Sequence, residues 1–196
     1  RSWLSPEGSL AMSVILRPKI QHLPQLVMAS SLAVVRTVKE NCGLEARIKW
    51  PNDVLLNGRK VCGILTESEL KGGQVKFAII GIGLNINMDP LAFPEIAAIA
   101  TSLSAETGGP VSFEKVTAGL LNNLEHYYLR LRSGEPLIAE WRQNMETIGR
   151  KVRVRNNDEV TEGTAEDVTA DGALMIRRGD GSLATALAGD VTVVRD

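Results

Sequence analysis

Two stretches of this chain carry residue types and spacings suited to chemistry. The run Arg47-Ile48-Lys49-Trp50-Pro51-Asn52-Asp53 puts Lys49 at the end of a short strand, just before a Pro-Asn-Asp turn. The run Ile80-Gly81-Ile82-Gly83-Leu84-Asn85-Ile86-Asn87, read with strand alternation, puts Gly81, Gly83, Asn85 and Asn87 on one face. Ala78, Ile80, Ile82, Leu84 and Ile86 then fall on the other. A structural strand seldom clears one face so completely, because each glycine costs backbone entropy and packs nothing. The bare face implies that something other than a side chain lies on it. Together the two runs imply a small-molecule pocket with a cation at its edge.

The elements that must position these residues follow from periodicity and turn chemistry. Ser5-Pro6-Glu7-Gly8 reads as a type I turn, leading into a strand over about 10–16. Pro24 opens a long helix whose apolar stripe is Leu26, Ala29, Leu32, Ala33 and Val35, and Gly43 stops it. A strand over 46–50 has Arg47 and Lys49 on one face and Ile48 and Trp50 on the other. Strands over 54–56 and 60–67 form a hairpin through Asn57-Gly58, and Gly72-Gly73 turns into the glycine-floored strand. Ser112 is the expected N-cap of a helix over 113–131, with a further helix over 136–145. From Lys151 the pattern becomes short strands and tight turns, five in all, which suggests a small barrel. The expected fold class is α+β, a mixed sheet with helices on one face, followed by a small all-β barrel. The expected division is residues 1–148 as one domain and 149–196 as a second. If the helices cover the apolar face, Lys49 looks toward the same kind of face that the glycines clear, but alternation alone does not join the two strands.

Composition excludes several classes. The chain has 196 residues, 44% of them hydrophobic, enough for one substantial core plus a small appendage. Lys and Arg number 22 against 23 Asp and Glu, so there is no basic footprint for nonspecific nucleic-acid binding. No apolar run approaches the roughly 20 residues of a membrane helix. The two cysteines, Cys42 and Cys62, have neither zinc nor redox spacing and read as buried thiols of a cytoplasmic protein. His22 and His126 show no partner pattern, and Glu67 reads as a solvated strand carboxylate.

The segments Trp3-Leu4-Ser5-Pro6-Glu7-Gly8, Lys49-Trp50-Pro51-Asn52-Asp53, Lys60-Val61-Cys62-Gly63-Ile64-Leu65 and Gly81-Ile82-Gly83-Leu84-Asn85 occur in this order. The series resembles the biotin–protein ligases, also called biotin–[acetyl-CoA-carboxylase] ligases, over essentially the whole chain. The resemblance implies a core like the catalytic domain of class II aminoacyl-tRNA synthetases and a C-terminal barrel of the Src-homology-3 type. It implies an ATP-dependent, AMP-forming reaction with Mg²⁺, in which biotin becomes biotinyl-5′-AMP. The biotinyl group then passes to a lysine of a biotin carboxyl carrier domain.

By the same resemblance Lys49 matches the essential lysine on the carboxylate and α-phosphate. Gly63, Gly81 and Gly83 match the biotin floor, and Arg1 a loop arginine that closes over biotin. Trp3, Asn52 and Asn85 match the ATP and adenylate side. Asn52 and Asp53 also suit a turn that merely orients Lys49, Asn85 suits a turn cap, and Trp50 suits the core. No metal ligands are assignable. Most of the Gly-Arg-rich loop, and the strand before it, are expected to precede Arg1, so the chain reads as an N-terminally truncated catalytic domain. The expected partners are the carrier domain and, in family fashion, a second copy in a homodimer. The alternatives are a lipoate- or octanoate-type ligase on the same fold, and a non-catalytic regulator that holds biotin or biotinyl-AMP.

Overall fold

A computed structural model of the chain describes residues 6–156 and 159–194. Arg1, Trp3 and the Asn157-Asp158 part of one expected turn lie outside the described residues. Five strands form a first sheet: β1 (Ser9–Leu16), β2 (Arg47–Lys49), β3 (Asp53–Leu56), β4 (Arg59–Lys71) and β5 (Gln74–Asn85). Their order is β1-β5-β4-β3-β2, and all four neighbour pairs are antiparallel. Among the described residues parallel pairing is confined to two isolated bridges, Ile48 with Met145 and Lys60 with Ala100. Both hairpin turns have the chemistry that the sequence announces. Asn57 and Gly58 have φ of 50° and 74°, and Gly72 and Gly73 of 60° and 75°, the positive pair that suits the twist of a two-residue hairpin.

Helix α1 (Leu26–Cys42) lies on one face of this sheet. Ala29, Leu32, Ala33, Val34 and Val38 are buried along it, and each buried Leu or Val stabilises the fold by about 1.5–3 kcal/mol. Gly43, at φ 68°, ends the helix and donates its N–H to the Lys39 carbonyl at 2.9 Å. Pro24 stands just before the first turn rather than in it, the N-cap position falling to Gln25. Helix α2 (Leu103–Thr107) is one turn and a half that periodicity cannot reveal at such a length, although its Ser102 cap and Gly108 stop are both present in the sequence. Helix α3 (Phe113–Arg132), capped by Ser112 Oγ on the Lys115 N–H, packs on the outer side of α1. Helix α4 (Ile138–Gln143) follows and buries Trp141. Among the described residues α1 makes the main helix contacts with this sheet, and Gly81 and Gly83, alternating with the buried Ile80, Ile82 and Leu84, lie on the face away from that core.

The second sheet has β6 (Lys151–Asn156), β7 (Glu159–Val168), β8 (Leu174–Arg177), β9 (Leu183–Ala186) and β10 (Asp190–Val193), in the order β10-β6-β7-β8-β9. It is antiparallel throughout. Val152 and Val154 are buried and Arg153 and Arg155 exposed, as alternation requires.

Candidate active site

Strand register joins faces that alternation could only describe one at a time. Residues directly opposite each other in antiparallel strands share a face. Lys49 faces Asp53, Asp53 faces Gly63, Gly63 faces Gly83, and Gly83 faces Ala11. One row therefore crosses the whole sheet on its open side. The next row carries Leu65, Gly81 and Ser13. Over these rows lies a cavity of about 460 Å³, with Gly63, Gly81 and Gly83 in its floor, Ala11 and Leu65 beside them, and Asn52, Asp53 and Lys60 as its polar wall. A Cβ on Gly81 would meet the protein only at 3.7 Å, an ordinary contact distance. Glycine is thus not demanded here by close packing, and what its missing side chain leaves is open cavity.

Lys49 is half-buried at the end of the row and is not among the residues lining the cavity. Two strand spacings, about 10 Å, separate its Cα from Gly63. The ammonium in the cavity wall belongs instead to Lys60, whose Nζ lies 2.5 Å from Asp53 Oδ1. Strict alternation with the buried Cys62 and Ile64 would put Lys60 on the helix side. A bulge corrects this: the register shifts between Val54 and Leu55, leaving Val61 without an opposite partner. Val61 and Cys62 are then both fully buried in succession, and Lys60 is turned onto the open face. The consecutive apolar pair Val61-Cys62 does not by itself reveal the bulge, because Ile64-Leu65 in the same strand is a like pair with no break in register.

The backbone of Lys60 is clamped on its other edge. Its N–H donates to the Ile99 carbonyl and its carbonyl accepts from Thr101 N–H, each at 2.8 Å. Glu106 ties the same hairpin down through Arg59 at 2.8 Å, Asn57 at 2.6 Å and Thr101 at 2.5 Å. Burial alone pushes the Glu106 carboxyl up, but the hydrogen bonds from Thr101 and Asn57 and the Arg59 guanidinium outweigh it and hold it below the usual carboxylate range. Asn52 donates from Nδ2 to the Ile64 carbonyl at 2.6 Å and accepts from the Ile64 N–H at 3.0 Å, so the turn before β3 is bonded to the floor strand. Asn85 ends β5 on the cleared face. It is 5% exposed and outside the cavity lining, with Nδ2 donating to the Thr101 carbonyl at 2.9 Å and Oδ1 facing Ser9 Oγ at 3.4 Å. Its side chain holds the end of the strand. Beneath the floor, burial pushes the Cys62 thiol up, which keeps it protonated and unsuited to act as a nucleophile.

A glycine floor beneath a lysine–aspartate wall, carried on a sheet with helices behind it and a small β module after it, defines an α+β protein with a cavity of small-molecule size. Comparisons with known proteins agree and narrow the class. Residues 1–85 match the biotin/lipoate A/B protein ligase family, and residues 147–194 match the biotin protein ligase C terminal domain. The biotin–[acetyl-CoA-carboxylase] ligase of Paracoccus denitrificans is 33% identical over 190 residues, covering 90% of this chain and 77% of that protein. The bifunctional ligase/repressor BirA of Bacillus subtilis is 37% identical over 187 residues, covering 92% of this chain. A solved biotin protein ligase from Aquifex aeolicus, in complex with biotin and ATP, superposes with a TM-score of 0.83 at 26% identity, covering 100% of this chain and 82% of that one. The chain belongs to the biotin protein ligase family. It spans 58% of the length of the Bacillus BirA proteins.

Proposed function

We propose that the chain activates biotin with ATP to biotinyl-5′-AMP and transfers the biotinyl group to a lysine of a biotin carboxyl carrier domain. The observation that carries this reading is the cavity itself, apolar and side-chain-free on its floor and charged at one wall. A fused bicyclic ring with an alkyl chain suits the glycine floor, because backbone planes allow closer approach than any side chain does. The carboxylate end and the α-phosphate then meet the Lys60 ammonium. Two anions must approach each other, and a fixed cation lowers their repulsion. Negative charge grows on the α-phosphate oxygens toward the transition state, so a donor already held in place by the Ile99 and Thr101 clamps lowers the barrier. We assign this role to Lys60 rather than Lys49, and Asp53 holds the Lys60 side chain until the ligand arrives. Asn52 is a wall residue whose amide is engaged with Ile64. Arg1 and Trp3 retain the roles that the resemblance gives them, closure over biotin and packing on adenine.

Among the described residues no group of three or more His, Cys, Asp or Glu is placed to hold a metal ion. The site does not fit a resident Mg²⁺, and no step is assigned to one. Mg²⁺ that arrives on a triphosphate keeps several waters and needs few protein carboxylates. No described helix is long and apolar enough to cross a membrane. A cytoplasmic setting and a homodimer belong to the same proposal. Pairing through the central sheet would use β1, because the β2 edge is already bonded to residues 144 and 146.

Biotin-dependent exchange of labelled pyrophosphate into ATP tests the reading on the chain, Lys60→Ala and Lys49→Ala. Loss of one transition-state donor costs about 10²–10³ in rate. That loss is expected in Lys60→Ala and not in Lys49→Ala. A collapse confined to Lys49→Ala returns the role to Lys49. A chain that neither exchanges nor binds biotinyl-5′-AMP overturns the reading.

A further inference from the structure

Trp50 sits at the joint between the two sheets and spends both of its N–H groups across it. Its backbone N–H donates to Thr147 Oγ1 at 2.9 Å, and its indole Nε1–H donates to the Gly172 carbonyl at 2.8 Å. Thr147 lies in the segment that leads into β6, and Gly172 in the turn between β7 and β8. Ile48 is gripped from the same side: its N–H donates to the Asn144 carbonyl and its carbonyl accepts from the Glu146 N–H, both at 2.8 Å. Two and three residues after Trp50 come Asn52 and Asp53, which line the cavity. They pass the hold onward, Asn52 to the Ile64 backbone and Asp53 to Lys60.

A buried indole needs an acceptor, and a carbonyl of its own sheet would meet that need. Here the acceptor stands 122 residues away in sequence, in the other module. It is also fixed in place. Gly172 has φ +84°, and a Cβ there would lie 2.9 Å from Met28 Cε on α1. Its N–H closes the turn on the Thr169 carbonyl at 2.8 Å. Arg142, at the end of α4, pairs with Asp167 of β7 at 2.8 Å. The acceptor is therefore held against the helix that covers the sheet, and the two bonds from Trp50 set the turn of residues 50–53 relative to that rigid frame.

We propose that Trp50 and Thr147 are positioning residues: they fix the turn that presents Asn52 and the Asp53–Lys60 pair to the ligand, which makes the C-terminal module a structural wall of the site at one remove. The inference deepens the ligase reading and rests on it. Coupling of this kind is reciprocal, so a ligand that requires the turn in one arrangement tightens the tether in return.

The test measures the dissociation constant of biotinyl-5′-AMP for the chain, Trp50→Phe, Thr147→Val and Thr147→Ser, with urea unfolding of each as the control. Loss of one buried hydrogen bond that aims the turn is expected to weaken binding about tenfold in Trp50→Phe and Thr147→Val. Thr147→Ser keeps the hydroxyl and is expected to bind like the unsubstituted chain. Nuclear magnetic resonance of the Trp50 indole N–H in the unsubstituted chain supplies a reading that needs no variant, and its hydrogen exchange is expected to slow when biotinyl-5′-AMP binds. Unchanged affinity in folded Trp50→Phe and Thr147→Val overturns the inference, as does equal weakening in Thr147→Val and Thr147→Ser. Should the variants fail to fold, indole exchange that ignores the adenylate overturns it alone. A chain with no affinity for biotinyl-5′-AMP overturns the underlying ligase reading instead.

Discussion

Adding one methyl group at Gly81 separates what the fold requires from what the ligand requires. The Gly81 backbone lies in ordinary extended space within β5, and a Cβ there would rest 3.7 Å from the Cβ and carbonyl oxygen of Leu65. Nothing in the protein resists Gly81→Ala. The substitution removes conformational freedom from the unfolded chain and is expected to stabilise the fold by about 0.4–1 kcal/mol. For a chain of this size that corresponds to a rise in Tm of about 1–4 °C. The same methyl projects into the 460 Å³ cavity from its floor. Overfilling a fitted site by one methyl group costs about 1–3 kcal/mol, so biotin is expected to bind about 5- to 150-fold more weakly. Differential scanning calorimetry and isothermal titration calorimetry on one preparation give both numbers. The two effects have opposite signs, which no general loss of folding imitates. A higher Tm with unchanged affinity would refute the assignment of this cavity to the ligand. A Tm lowered by several degrees would show that the glycine serves packing after all.

Other substitutions test the frame. Gly172→Ala places a side chain at φ +84° and 2.9 Å from Met28 Cε, so urea unfolding should show a loss of at least about 1–2 kcal/mol from the backbone conformation alone. Burial first, and the hydrogen bond to Glu140 second, push the Tyr127 hydroxyl up to about 12 from 10.0. The folded value is raised, so its contribution is complete below pH 10 and is lost as pH rises through about 12; urea titrations over that window should show stability falling in the unsubstituted chain and a flatter alkaline limb in Tyr127→Phe. Burial raises the Glu140 carboxyl, but the bonds from Tyr127 and Arg130 outweigh it and hold it below 4.5. That contribution is present above pH 4.5 and is lost as pH falls through the folded value, and Tyr127→Phe should reduce it as well.

The hairpins, the long helix and the alternation of the floor strand were legible because each rests on local chemistry. Asn57-Gly58 and Gly72-Gly73 can hardly do anything but turn, and Gly43 ends α1 at the one conformation where glycine has the advantage. The β module was legible for the same reason, from turn residues at short intervals. The partners of Asn85 were not legible, because tertiary folding brings the Thr101 carbonyl and Ser9 hydroxyl to it from distant parts of the chain. The short helix over 103–107 carries cap and stop but too few turns to show a period.

The lysines show where sequence reasoning stops for a physical reason. Alternation assigns each side chain to a face of its own strand, and its period of two carries an error forward unchanged. A single bulge reverses the assignment for every residue beyond it. Read without the bulge, Lys60 sits with Cys62 on the buried face, whereas Lys49 stands out by its place before the Pro-Asn-Asp turn and by the family resemblance. In the structure the strand breaks step at Val61, which is buried together with Cys62. Once the register shifts between Val54 and Leu55, Lys60 meets Asp53, Asp53 meets Gly63, and Gly63 meets Gly83. The Lys60–Asp53 pair is thereby set beside the floor, and one extra residue in one strand is what turns Lys60 to the open face.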